Sequence, residues 1–323
     1  MSSLRFGAAL LDDLDNLTIS STPLVEDFLY TPKVTMLAAD PGLGKSLIST
    51  QLALSCSSAT PLFGLLAIPK PVRTYYLQLE GDYEEFIERM RHMRQVIPID
   101  TQNLCWDTTP VLNILKPDHT EAVIKRIKSW GSPELIIIDP IYRTVLGGLS
   151  KDEPASAFVQ FSSQLKDKFH CAQLLIHHTH RPSKDRDGGL IDEDDPYYGA
   201  IWLKAHVDVS YLLKSTSEDH STSILLNKKS RGANVLKSFA LTYHPESMTC
   251  SLNLTTSEGD ALSRVLTFLN FCKQAGKDTD FYEVAKVCSM SHAHLRRQLE
   301  LPEILAKVDF VKRRPQKTLW KLR

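Results

Sequence analysis

The chain has 323 residues, 42% of them hydrophobic and 24% charged, and its formal net charge is zero. That length carries a large core plus a small appendage, and the composition is ordinary for a soluble globular protein. A neutral balance argues against a nucleic-acid binder that is basic over its whole surface, so any basic surface has to be local.

Residues 1–30 read as an N-terminal lead-in with little periodicity. It carries Asp12, Asp13 and Asp15 rather than the basic-then-apolar pattern of a signal peptide. No apolar run approaches membrane-spanning length, and the six scattered cysteines include no Cys-x-x-Cys pair. The expectation is a cytoplasmic protein with no membrane partner, no zinc ribbon and no disulfide framework.

The apolar run 34–38 predicts a strand, and 47–55 is patterned as a helix. Between them stands Ala39-Asp40-Pro41-Gly42-Leu43-Gly44-Lys45-Ser46. Strand, glycine-bearing loop, Lys-Ser and helix form the phosphate-cradling arrangement of nucleoside triphosphatases. Gly42 and Gly44 let the backbone curl so that successive N–H groups converge on an anion, and the helix N-terminus adds its positive end. Pro41, Gly42, Leu43, Gly44, Lys45, Ser46 and Leu47 are therefore the candidate nucleotide-binding residues. Lys45 supplies charge to the phosphates of ATP, and the Ser46 hydroxyl is placed to hold Mg²⁺. Ala39 stands where the usual motif has Gly, which is compatible with an ordinary extended conformation there.

A strand over 73–79 follows, ending at Glu80-Gly81-Asp82, then an amphipathic helix over 83–96, a short strand at 104–107 and a helix at 120–130. The run 134–139 is continuously apolar up to Asp139, as a strand buried on both faces requires. A helix at 154–169 and a strand at 173–177 come next, then a long polar loop at 181–195. Strands at 207–213 and 223–227 precede a final antiparallel pair at 238–243 and 249–254. Strands alternating with helices give an α/β fold with a mostly parallel sheet and a β-rich C-terminal edge, and no internal repeat is visible.

Asp139, at the carboxyl end of its strand, has the position of the second Mg²⁺-associated carboxylate of phosphate-loop enzymes; the plainer alternative is a helix cap or loop aspartate. Pro140 follows it, where many such ATPases carry their catalytic glutamate. Glu80, ending the strand after the phosphate-loop helix, is the candidate base for the attacking water, against the alternative of an exposed turn residue.

The phosphate loop, the Glu80-ended second strand, the Asp139-Pro140 pair, the His177-His178-Thr179 strand end and Lys228-Lys229-Ser230-Arg231-Gly232 together resemble the RecA-fold P-loop ATPases. Among these, they resemble the plasmid RepA-type and DnaB-class hexameric replicative helicases. The resemblance covers about 30–255, and Ala233 follows Gly232 directly. It implies that His178 senses the γ-phosphate, and that Lys229 and Arg231 reach a neighbouring subunit's nucleotide; two solvated cations on a turn are the alternative. It also implies that loops near 146–153 and 180–195 grip single-stranded or forked DNA, through Arg181, Lys184 and Arg186 in the second. The acidic run 192–195 would then have to turn away from the strand.

A composition shift near 256 leaves three expected domains: the lead-in 1–30, a RecA-like ATPase domain 31–255 and a C-terminal unit 256–323. Helices up to 273, at 281–288 and at 292–299, with a hairpin at 308–322, read as a winged helix. Over 261–323 there are 13 basic against 6 acidic residues. Arg296 and Arg297 fall on the expected recognition helix, and Lys312, Arg313 and Arg314 on the wing. DNA and a docking protein are both open as its partner, a replication or mobile-element protein being the resemblance's suggestion. The combined expectation is an ATP-hydrolysing motor, a hexameric DNA helicase of a plasmid, phage or mobile element. The alternatives are a RadA- or KaiC-like ATPase that does not unwind and a nucleotide-gated winged-helix regulator.

Overall fold

The computed structural model describes residues 21–108, 112–145, 148–149, 151–179, 183–184, 190–191, 201–232, 235 and 238–253. Towards the C-terminus it describes 265, 269, 279–280, 284, 295, 308–314 and 317–322.

Two short strands, β1 (Thr22–Val25) and β2 (Leu29–Thr31), pair antiparallel. They fall in the stretch expected to be a lead-in, yet Leu24, Val25, Phe28 and Leu29 are buried in the core. Phe28 stacks on Tyr211 at 4.7 Å between ring centroids. Strands this short are too brief to register as a period in the sequence.

The α/β elements then run in order: β3 (Val34–Ala39), α1 (Lys45–Ser58), β4 (Thr74–Gln78), α2 (Tyr83–Met93), β5 (Leu104–Thr108), α3 (Pro117–Trp130) and β6 (Leu135–Asp139). A 3-10 turn at Ile141–Thr144 leads on to α4 (Asp152–Phe169), β7 (Ala172–His178), the two-residue strands β8 (Ser183–Lys184) and β9 (Leu190–Ile191), and α5 (Ile201–His206). The antiparallel edge is β10 (Val209–Ser215), β11 (Thr222–Ser230), β12 (Ser238–His244) and β13 (Thr249–Asn253).

Nine strands form one sheet in the order β13-β12-β11-β10-β3-β7-β6-β4-β5. From β10 to β5 every pairing is parallel, and from β10 to β13 every pairing is antiparallel. The continuous apolar runs have a direct cause. In β6, Leu135 and Ile137 pack on one face with α1 and α2, while Ile136 and Ile138 pack on the other among residues of α3 and α4. A parallel strand covered by helices on both sides has no face left for polar residues.

β11 runs on to Ser230, so Lys228 and Lys229 lie within a strand and not on a turn, as the sequence suggested. At the C-terminus β14 (Thr279–Asp280), β15 (Val308–Arg314) and β16 (Lys317–Leu322) form a three-stranded sheet in the order β14-β16-β15. The hairpin expected at 308–322 is present; the helices expected over 261–299 lie outside the described residues, apart from single positions.

Candidate active site

Strand register assembles the site. Ala39 pairs with His178 across β3 and β7, and Gln78 pairs with Asp139 across β4 and β6. The phosphate loop, His178, Asp139 and the Glu80 that follows β4 thus meet at one carboxyl edge of the parallel sheet, where ligands of open α/β folds gather.

Gly42 (φ 82°) and Gly44 (φ 87°) both adopt left-handed backbone, and Gly44 is the cap of α1. A Cβ on Gly42 would meet nothing within 4 Å, so glycine is needed there for the turn rather than for space. Among the described contacts no side chain caps α1, which leaves its first N–H groups aimed at the place an anion would take. The Lys45 ammonium is 6% exposed and donates to the carbonyls of Ala39 (2.9 Å) and Asp40 (2.8 Å). Burial pulls its pKa down to about 8, opposed by the charges of Asp139, Asp40 and Glu80. Thr179 fastens the loop to the end of β7, its hydroxyl donating to Asp40 and its N–H to the Ala39 carbonyl.

Asp139 is 5% exposed and accepts three hydroxyls: Ser46 at 3.2 Å on Oδ1, and Ser49 at 3.0 Å and Tyr76 at 2.5 Å on Oδ2. Burial raises its pKa, and those hydroxyls with nearby Arg89 pull it back down. A hydroxyl and a carboxylate at hydrogen-bond distance, beside a phosphate cradle, form the hard oxygen set that Mg²⁺ takes. Ser46 would ligate the ion and Asp139 would hold it directly or through a water, so these residues fit the expected metal. Among the described residues no cluster of three or more His, Cys, Asp or Glu is arranged to hold an ion by itself, so phosphate oxygens must complete the shell.

A cleft of about 370 Å³ opens over these groups, lined by Gly44, Lys45, Ser46, Glu80, Asp139 and His178 among others. Its outer wall is Tyr243 and Met248, from β12 and the turn before β13. The hairpin is held there by Gln51 of α1. That buried amide donates to the Cys250 carbonyl and accepts from the Cys250 N–H, both at 2.8 Å. A smaller cavity of about 90 Å³ lies alongside, between Tyr76, Gln78, Glu80, Arg89 and Asp139.

Glu80 is not a free turn residue. Its Oε1 accepts from the Tyr142 hydroxyl and, at 3.0 Å, from Arg143 Nη2. His178 has its pKa lowered, first by burial and then by the Lys45 charge, and its ring lies 5.2 Å from that of Tyr142. A neutral imidazole beside the phosphate loop suits hydrogen bonding better than ion pairing.

Lys229 and Arg231 sit elsewhere. β11 is antiparallel to β10, with Ser230 opposite Val209, which pairs with Thr35 near the start of β3. Both cations therefore lie at the amino edge of the parallel strands, a β3 length of on the order of 17 Å from the chain's own phosphate loop. There Lys229 donates to the Lys204 carbonyl (2.6 Å) and Arg231 to that of Ala205 (3.4 Å), at the end of α5.

Of the candidate DNA contacts, Arg181, Arg186, Arg296 and Arg297 lie outside the described residues. Lys184 is placed by backbone in β8, and Lys312, Arg313 and Arg314 in β15. Sequence reasoning missed Ser49, Tyr76, Arg89, Tyr142, Arg143, Tyr243 and Met248. Only Ser49, one helical turn beyond Ser46, carried a readable signal.

No curated protein matches this sequence. Among solved structures, the ATPase domain of a DnaB-like helicase superposes with a TM-score of 0.52 at 12% identity, over 75% of this chain and 95% of that one. The KaiC-like protein PH0186 of the archaeon Pyrococcus horikoshii OT3 aligns with a TM-score of 0.49 at 12% identity, over 71% and 93% of the two chains. The model of the AAA domain family matches residues 2–184, more than half of the sequence. The chain therefore belongs to the AAA domain family, as a P-loop ATPase of the RecA fold.

Proposed function

We propose that this protein hydrolyses Mg²⁺-ATP at the interfaces of a ring and uses the turnover to move on DNA, as a hexameric replicative-type helicase of a plasmid, phage or other mobile element. The observation that carries the reading is the split between two sheet edges. The carboxyl edge holds the phosphate loop, the metal carboxylate and a candidate base. The amino edge holds two cations that cannot reach them. A phosphoryl-transfer site needs positive charge on the transferring group, and a neighbouring copy presenting Lys229 and Arg231 supplies it. The fold shared with a DnaB-like helicase ATPase domain supports the same assembly.

Within one site the roles divide as follows. Lys45 and the N-terminus of α1 bind the β- and γ-phosphates, with Ser46 and Asp139 holding the metal. Glu80 takes the proton of the attacking water, and His178 reads the γ-phosphate position. Tyr243 and Met248 offer the base an apolar face. Single-stranded DNA would run past the segments after β6 and β7, with the basic C-terminal unit on DNA or a replication protein.

The test is ATP hydrolysis with and without single-stranded DNA, alongside Glu80→Ala and Arg231→Ala. The expected result is DNA-stimulated turnover that both variants lose, together with unwinding of a forked duplex. Turnover indifferent to DNA would overturn the motor reading and leave an ATPase that remodels or signals. DNA-stimulated turnover without unwinding would favour a recombination-type ATPase.

A further inference from the structure

The 3-10 turn Ile141–Thr144 starts one residue after the metal carboxylate and returns two side chains to Glu80. Both donors, the Tyr142 phenol and the Arg143 guanidinium, go to the same oxygen, Oε1. Among the described residues no donor reaches Oε2. The terminal torsion of a glutamate is broad and roughly two-fold, so an untethered carboxylate offers either oxygen over a wide range of angles. With Oε1 fixed from two directions, Oε2 is the oxygen left to accept a proton.

We infer that Tyr142 and Arg143 are positioning residues for hydrolysis, which pin Glu80 through Oε1 so that Oε2 meets the attacking water. The inference rests on Glu80 being the base. The surroundings of the turn give the arrangement a reach beyond one contact. The Tyr142 ring packs at 5.2 Å against His178, and the Arg143 guanidinium lies 5.4 Å over the Tyr142 ring. His178, Tyr142, Glu80 and Arg143 thus form a continuous chain of contacts from the end of β7 to the end of β4. A shift of either strand end towards a bound γ-phosphate moves the base with it. Base orientation and metal ligation also share one short segment, since Asp139 and Tyr142 are three residues apart.

The tether is light by design of its exposure. Glu80 is 36% and Arg143 51% exposed, and ion pairs in such positions contribute on the order of 1 kcal/mol or less to folding. Removing either donor therefore leaves the fold intact and changes only where the carboxylate points.

The experiment is a double-mutant cycle on the full chain, reading single-turnover hydrolysis of Mg²⁺-ATP and, separately, its binding affinity. Tyr142→Phe and Arg143→Ala are each expected to slow hydrolysis on the order of tenfold, a fraction of what a general base contributes, with affinity unchanged. Arg143→Lys should restore part of the rate. In a Glu80→Gln background neither substitution should slow the residual rate further, because there is no base left to orient. Equal slowing in both backgrounds, or loss of affinity in place of rate, would overturn the inference. So would unchanged hydrolysis in Tyr142→Phe and Arg143→Ala while Glu80→Gln is inactive. Full turnover by Glu80→Gln would overturn the base assignment together with this inference, so the two failures are told apart by that one variant.

Discussion

Lys45 carries the site's most accessible pH dependence. Its ammonium is buried against two loop carbonyls, and burial holds its pKa near about 8. A bound phosphate would favour the charged form and raise that value, so binding takes up a proton wherever the unliganded lysine has lost one. Below about 8 the free site is already charged and ATP affinity is flat with pH. Above it, affinity falls by up to about tenfold per pH unit. Nucleotide titrations on either side of that pH check the prediction, and Lys45→Arg should flatten the curve, because a guanidinium stays charged throughout. Asp139 responds in the opposite sense: its raised pKa means that acidification protonates the metal carboxylate early, and Mg²⁺-dependent binding should weaken as pH falls. Lys45, Ser46 and Asp139 were legible in the sequence because a short motif and a strand end fix them. Tyr142 and Arg143 were not, since they lie 62 and 63 residues from Glu80. They meet it only because β4 is laid beside β6, an adjacency that chain order does not dictate.

At the level of elements, the phosphate-loop helix depends on a strand it never neighbours in sequence. Gln51 on α1 and Cys250 on β13 form a closed pair of buried hydrogen bonds 199 residues apart. Gln51→Ala would leave the N–H and C=O of Cys250 buried and unpaired, which costs about 2–4 kcal/mol by the usual penalty for two such groups. A urea unfolding midpoint should fall accordingly, and ATP affinity should fall with it as Tyr243 and Met248 lose their seat. An unchanged midpoint would mean that water replaces the amide. The main strands were visible as elements because burial on both faces writes an unbroken apolar run, as in β6. β1 and β2 were not, being too short to show a period, and the true end of β11 was hidden by its exposed lysines, which read as a turn although Lys229 pairs with Ser210. The anchoring of the hairpin to α1 was also invisible, since a glutamine on a helix carries no mark of the strand it will cap.

For the whole molecule, the decisive quantity is the thickness of the sheet along its strands. The β3 strand separates the amino edge, where Arg231 is docked on α5, from the carboxyl edge, where ATP would sit. A guanidinium side chain is shorter than that separation of on the order of 17 Å. Arg231 therefore cannot complete its own site, and two defective chains should repair one another. Lys45→Ala disables the phosphate loop but leaves its cations intact; Arg231→Ala does the reverse. Neither alone is expected to turn over ATP. Mixed in equal amounts, they form interfaces in which an intact loop meets an intact Arg231, so a fraction of the activity should return, rising more steeply than linearly with total protein. A mixture as inactive as its components would show that catalysis does not cross between copies, while appreciable turnover by Arg231→Ala alone would show that the charge on the transferring phosphate comes from within the chain, where Arg89, lining both cavities at the carboxyl edge, is the cation in place to supply it.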